Sequence, residues 1–171
     1  MKKLLITLVI IFSITIIFGE TDCEKLFRQG EKYSNNNEFK KAFDLYKKAA
    51  EKDHINSMLK IANFYKEGKG VIKNYKQSFK WFKNAAIKGN VSGMYNLGLM
   101  YMYGTGIIKN YKKSYEWFLI TKYYWNDSYK DRIKLNDIKK NIKKLENILN
   151  KSQLNDVQEN AQMWVNHHEE F

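Results

Sequence analysis

The sequence contains no proline and only one cysteine among its 171 residues. The absence of proline favours uninterrupted helices over a turn-rich β-sandwich. A single cysteine, Cys23, excludes a disulfide framework within one chain, and leaves either a free thiol or a pairing between chains. Acidic residues are also few: 18 Asp and Glu oppose 30 Lys and Arg, which gives a formal net charge of +12. The sequence is 44% hydrophobic and 15% aromatic, a composition that excludes collagen-like, low-complexity and wholly disordered chains.

The N-terminus has the pattern of a secretory signal peptide. Two lysines follow Met1, residues 4–18 carry no charge, and polar residues begin after Gly19. The apolar run is shorter than the roughly 20 residues of a membrane-spanning helix. We therefore predict a signal peptide over residues 1–21, cleaved after Gly19 or Thr21, and a secreted or periplasmic protein without stable membrane insertion. An uncleaved anchor is the alternative.

Two segments of the chain repeat at a spacing of 36 residues. Residues 58–82 and 94–118 are identical at 12 of 25 positions. In each, apolar residues first recur at i, i+3, i+4 and i+7, as in Met58, Ile61, Ala62 and Tyr65, and a second helical pattern follows. Each unit is therefore predicted to be a pair of amphipathic helices. Paired glycines are expected to end the first helix, and two asparagines to cap the second, at Asn74 and Asn110.

An upstream segment carries a weaker copy of the same unit. Residues 30–33 match residues 98–101, and the second-helix pattern follows after a loop that is about four residues shorter and lacks the paired glycines. We predict a degenerate helix pair over residues 22–55.

The repeat resembles the Sel1-like repeat, and the upstream unit is similar to the related tetratricopeptide repeat. The resemblance covers about residues 23–125 and implies an all-α fold. It would be a short right-handed helix-pair solenoid with units 22–55, 56–91 and 92–127 and a helical C-terminal cap over 128–171. It departs from the family at Ala62, where glycine is usual, and at Thr121-Lys122, where an Ala-Ala pair is expected. The residues that carry the motif, and are expected to be structural, are Tyr65, Gly68, Gly70, Trp81, Gly98, Tyr101, Gly104, Gly106 and Trp117.

Two amphipathic patterns are expected to form the cap. Ile138, Ile142, Leu145 and Leu149 recur at helical spacing with lysines on the opposite side, and residues from Ser152 onward form a last helix. Repeat arrays need such a terminal cap with a polar outer face.

The resemblance implies a binding groove on the concave side, lined by the first helices. In the tetratricopeptide register, Tyr95, Leu99 and Met102 form an apolar strip that either binds a partner or packs under the C-terminal helices. We predict an exported, non-catalytic protein–protein interaction module, an adaptor or regulator in envelope signalling, export or host contact. It would bind a peptide or helix without cofactor or metal. The predicted groove residues are Asn56, Leu59, Asn63, Lys66, Ser92, Tyr95, Leu99 and Met102, with Phe27 and Glu31 upstream.

Other features of the sequence bear on alternative functions. Ser57 and Lys60 fit the S-x-x-K pattern of β-lactamase-like hydrolases, but no S-D-N or K-T-G motif accompanies them. The basic charge suits an anionic envelope polymer or lipid, and export argues against nucleic acid. His167 and His168 are adjacent, so they point to different faces of a helix and chelate one metal poorly.

Overall fold

The chain folds into consecutive α-helices, as the sequence predicts. A computed structural model describes residues 21–126, 128 and 133–169, so the predicted signal segment lies outside the described residues except for Thr21. No strand occurs within these ranges. The described helices are α1 (Asp22–Asn35), α2 (Phe39–Ala50), α3 (Ile55–Glu67), α4 (Tyr75–Ile87), α5 (Val91–Tyr103), α6 (Tyr111–Tyr124), α7 (Leu135–Glu146) and α8 (Lys151–Glu169).

Each helix packs on the next one along the chain from α1 to α6, which is the arrangement of a helix-pair solenoid. The pairs are α1–α2, α3–α4 and α5–α6. At the C-terminal end, α6 packs against both α7 and α8. None of the helices described here is both long and apolar enough to cross a membrane.

Asparagine caps the start of α4, α5 and α6, and glycine ends the first helix of two pairs. Asn74 and Asn110 accept hydrogen bonds from the backbone N–H groups three residues later, which confirms their prediction as N-caps. Asn90 does the same for α5. Gly68 and Gly104 follow α3 and α5 in the left-handed conformation, at φ 76° and 69°.

The core between repeats is built from equivalent aromatic contacts. Tyr65 of α3 meets the Phe43 ring of α2 edge-on at 5.3 Å, and Tyr101 of α5 meets Phe79 of α4 in the same way at 5.4 Å. Within the third pair, Gly98 lies against the ring of Phe118. The two repeat tryptophans extend this core: Trp81 is partly buried between two core clusters, and Trp117 is 8% exposed.

The last two helices cover the end of the solenoid. Ile138, Ile142 and Leu145 of α7 are buried, and the lysines on the opposite side of this helix are exposed. Val157, Ala161 and Val165 of α8 are buried as well.

Candidate binding groove

Side chains from the first helices of all three repeats meet at one cavity of about 590 Å³. Phe27, Leu59 and Tyr95 occupy the same repeat position, so one apolar or aromatic side chain per repeat lines the cavity. Asn56 and Ser92 occupy another shared position. We call this cavity the groove; it is lined by Phe27, Glu31, Asn56, Leu59, Lys60, Asn63, Lys66, Phe82, Ser92, Tyr95, Asn96 and Ile133.

Two of the predicted groove residues lie elsewhere. Met102 is 2% exposed and packs in a core cluster with Tyr115, Ile138 and Ile142. Leu99 packs against the same cluster and does not line the groove. Helix α7 supplies part of that cluster, so the cap occupies the surface that the register assigned to the groove. The apolar strip therefore packs under the C-terminal helices at these two positions.

Tyr95 lies at the boundary between the groove and the cap. It lines the groove, and its ring meets the Phe118 ring at 5.7 Å. Burial raises the pKa of its phenol above the ordinary value, and the carboxylate of Asp137 in α7 acts in the same direction. The phenol is therefore held neutral.

The charged side chains of the groove are unequally paired. Lys60 Nζ lies 2.8 and 2.9 Å from the two carboxylate oxygens of Glu31, and the buried Tyr46 hydroxyl also donates to that carboxylate. Lys66 instead lies over the Phe82 ring, 5.6 Å from its centre, and makes no ion pair within the described chain. The groove thus carries one uncompensated positive charge.

Amides and one hydroxyl supply the neutral polar groups. Asn63 Nδ2 donates to the Leu59 carbonyl at 3.0 Å, and Asn96 Nδ2 donates to the Ser92 carbonyl at 2.8 Å. Each amide thereby keeps its Oδ1 and a second N–H for another partner. The Ser92 side chain is buried, and its Oγ has no hydrogen-bond partner among the described residues. Unpaired polar atoms beside a cavity favour a polar ligand.

Sequence reasoning missed four groove residues. Lys60 and Asn96 share one repeat position, adjacent to the Leu59 and Tyr95 position, so the repeat register could have identified them. Phe82 belongs to a second helix, and Ile133 follows α6; both reach the groove only through tertiary packing. The Ile133 carbonyl accepts a hydrogen bond from Trp125 Nε1 at 2.8 Å, which fixes this segment near the end of α6.

The two S-x-x-K side chains are engaged with different partners. Ser57 is fully buried, and its Oγ lies 2.8 Å from His54 Nδ1, whereas Lys60 is engaged with Glu31. His54 also lies 3.1 Å from Glu24, so a carboxylate, an imidazole and a hydroxyl follow one another. These three side chains have a structural role. His54 caps α3 by accepting a hydrogen bond from the Ser57 N–H, as Asn90 caps α5.

The C-terminal histidines are engaged in packing. His168 stacks on Trp164 with ring centres 3.7 Å apart, and its Nδ1 lies 2.8 Å from the Trp164 carbonyl. Over the described ranges, no three His, Cys, Asp or Glu side chains come close enough together to hold a metal ion.

Stacked helix pairs whose first helices face a common groove define an α-solenoid of the tetratricopeptide-like class. Within that class, the chain belongs to the Sel1 repeat family, whose profile matches residues 27–54, 55–90 and 91–120, more than half of the chain. The first match falls on the unit predicted as degenerate. Sel1-repeat proteins are generally protein-interaction modules, and their fold is typically a non-catalytic scaffold.

Solved structures share this fold. One is c5321, a protective antigen of uropathogenic Escherichia coli with an SLR fold: 26% identity, TM-score 0.72, covering 84% of this chain and 30% of that chain. A Sel1 repeat protein from Oxalobacter formigenes has 26% identity and TM-score 0.59, and the match covers 61% of this chain and 44% of that chain. Helicobacter pylori cysteine rich protein B has 21% identity and TM-score 0.50, and the match covers 67% of this chain and 99% of that chain. This last similarity is one of fold alone. This chain thus spans less than half the length of the first two. No curated protein matches it by sequence.

Proposed function

We propose that the protein is a non-catalytic interaction module that binds an extended segment of a partner protein in the groove. The observation that carries this proposal is the convergence of first-helix side chains from three repeats on one cavity. Apolar contacts would come from Phe27, Leu59 and Tyr95. The Asn63 and Asn96 amides, which can donate and accept at once, match the alternating N–H and C=O groups of a peptide backbone.

A peptide selection with matched variants tests this proposal. Peptides would be selected on the wild-type protein from a random displayed library. Their affinities for the wild type and for Asn63→Ala/Asn96→Ala would then be compared. We expect a loss of roughly tenfold or more, because two neutral hydrogen bonds are removed. The fold should persist, since both amides bond within the described structure only to carbonyls of their own helices.

The control variant is Gln162→Ala/Asn166→Ala, which removes an exposed amide pair on α8 joined by a 2.7 Å hydrogen bond. It should bind the selected peptides like wild type. The proposal fails if the wild type enriches no peptide, or if the groove variant and the control bind equally well.

We also propose that the protein is exported and acts as an adaptor or regulator outside the cytoplasm, in the periplasm or after secretion. The charged start, apolar run and polar boundary of residues 1–21 support export. The similar protein c5321, described as a protective antigen, offers a parallel. Expression of the full chain in a Gram-negative host should yield a protein that starts at Glu20 or Asp22. Recovery of intact chains beginning at Met1 would contradict export by cleavage.

A further inference from the structure

Two isoleucines project from equivalent loops of the second and third repeats. Ile72 is 89% exposed and Ile108 is 87% exposed, whereas the preceding residue of the first loop, Val71, packs against the core. Scattered single apolar residues are common on protein surfaces. Here, however, the same residue is exposed to the same extent at the same position of two successive repeats.

Both isoleucines lie on one edge of the solenoid. The loop of residues 68–74 lies on the first turn of α2, because a Cβ added at Gly70 would overlap the Phe39 carbonyl. The loop of residues 104–110 lies in the same way on the first turn of α4, where a Cβ at Gly106 would overlap the Tyr75 carbonyl. Each loop therefore sits on the start of the preceding repeat's second helix. We call the surface formed by residues 69–76 and 105–113 the loop edge.

The loop edge carries basic charge. Residues 69–76 and 105–113 contain six lysines and no acidic residue. Lys73 and Lys109 lie over the rings of Tyr75 and Tyr111, at 4.8 and 5.8 Å from the ring centres. These two lysines and Lys76 form no ion pair within the described structure.

Acids from outside the loop edge pair with three of its six lysines: Glu67 with Lys69, Asp156 with Lys112 and Glu116 with Lys113. The positive charge left for a ligand is therefore that of Lys73, Lys76 and Lys109.

We propose that the loop edge docks on an anionic lipid bilayer. The two isoleucines would enter the interfacial region while the lysines contact anionic headgroups and the tyrosine rings lie at headgroup depth. A bilayer accommodates two apolar side chains separated by a whole repeat, because its interior is a continuous apolar phase. To a protein partner, the two side chains would offer little contiguous apolar surface to bury. This surface is separate from the groove, so a partner could be held beside a membrane.

Vesicle co-sedimentation tests the proposal on residues 21–171. The apolar N-terminal run is left out because it would itself partition into lipid. Every buried residue described lies between Gly30 and Val165, so the shortened chain retains the described core. Wild type should bind vesicles containing phosphatidylglycerol far better than pure phosphatidylcholine, and less well as salt increases.

Two sets of variants separate the apolar and the electrostatic contributions to vesicle binding. Ile72→Ser/Ile108→Ser should weaken binding by roughly tenfold or more through the lost apolar insertion. Lys73→Gln/Lys76→Gln/Lys109→Gln should weaken it by about a hundredfold, since each lysine near an anionic surface is worth roughly fivefold. The control, Ile87→Ser/Ile148→Ser, changes two isoleucines that are 46% and 45% exposed outside the loop edge and should bind normally.

The proposal is overturned if wild type ignores phosphatidylglycerol vesicles, binds both vesicle types equally, or binds as before after Ile72→Ser/Ile108→Ser. Sedimentation velocity without lipid provides a second check. A wild-type dimer that becomes monomeric in that double variant would make the loop edge a protein interface and would also overturn it. The groove variant Asn63→Ala/Asn96→Ala should retain vesicle binding, which keeps this test independent of peptide recognition.

Discussion

At the scale of single residues, Gly106 combines two constraints that only glycine satisfies. Its φ is +75°, and a Cβ there would overlap the Tyr75 carbonyl at the start of α4. An alanine in this conformation costs about 1–2 kcal/mol, and the overlap adds about 1–3 kcal/mol. We expect Gly106→Ala to lower the free energy of unfolding by about 3 kcal/mol, measured by urea titration followed by circular dichroism.

Gly89 provides the matched control for this prediction. Its φ of +83° imposes a similar conformational cost, but nothing lies within 4 Å of the added Cβ. Gly89→Ala should therefore cost only about 1–2 kcal/mol. Equal losses in the two variants would show that the approach of the loop to α4 contributes nothing, and that φ alone explains the glycine.

The cap of α3 shows how one repeat position can take different residues. His54 and Asn90 are 36 residues apart, and both side chains accept from the backbone N–H three residues later. Because His54 Nδ1 is the acceptor, the proton of a neutral ring is on Nε2, which faces Glu24. The imidazole thus adds a connection between α1 and α3 that the shorter Asn90 does not provide.

At the scale of helices, the features that the sequence predicts are those that local sequence pattern controls. The 36-residue period identified the helix pairs, and asparagine placement identified the starts of α4 and α6. The repeat register also named Asn56, Leu59 and Asn63, which the structure brings together in the groove. These features depend on neighbouring residues and on the equivalence of repeats, both of which are readable in one chain.

The position of the cap depends instead on long-range packing. Lys66 and Met102 are equivalent in the repeat, yet Lys66 lines the groove and Met102 is buried beneath α7. Register alone treats the two alike. A compositional signal was present, because α5 is apolar around much of its circumference, as expected of a helix enclosed on several sides. The sequence left partner binding and packing under the C-terminal helices as alternatives, because the contact between α7 and this cluster joins residues far apart in the chain.

At the scale of the whole molecule, buried and partly buried tyrosines link stability to alkaline pH. Burial raises the pKa of Tyr95, Tyr101 and Tyr115 above the ordinary value. The pKa of Tyr46 is raised further, first by burial and then by its hydrogen bond to Glu31. In each case the folded chain retains a proton that the unfolded chain loses at a pH of about 10.

The direction of the effect follows from proton binding. Below about pH 10 both states hold these protons and the contribution of the tyrosines to stability is complete. As pH rises above that value, only the unfolded chain ionises, so the free energy of unfolding falls by up to about 1.4 kcal/mol per pH unit for each such group.

Tyr46→Phe isolates one of these groups. The equivalent residues of the next two repeats are Phe82 and Phe118, both fully buried, so phenylalanine should fit this position. We expect urea unfolding above about pH 10 to show a shallower decline for Tyr46→Phe than for wild type, by the amount of one titrating group. Tyr103→Phe, at a side chain that is 59% exposed, should follow the wild-type curve. Parallel declines in wild type and Tyr46→Phe would refute the assignment, and the alkaline loss would then belong to other groups of the chain.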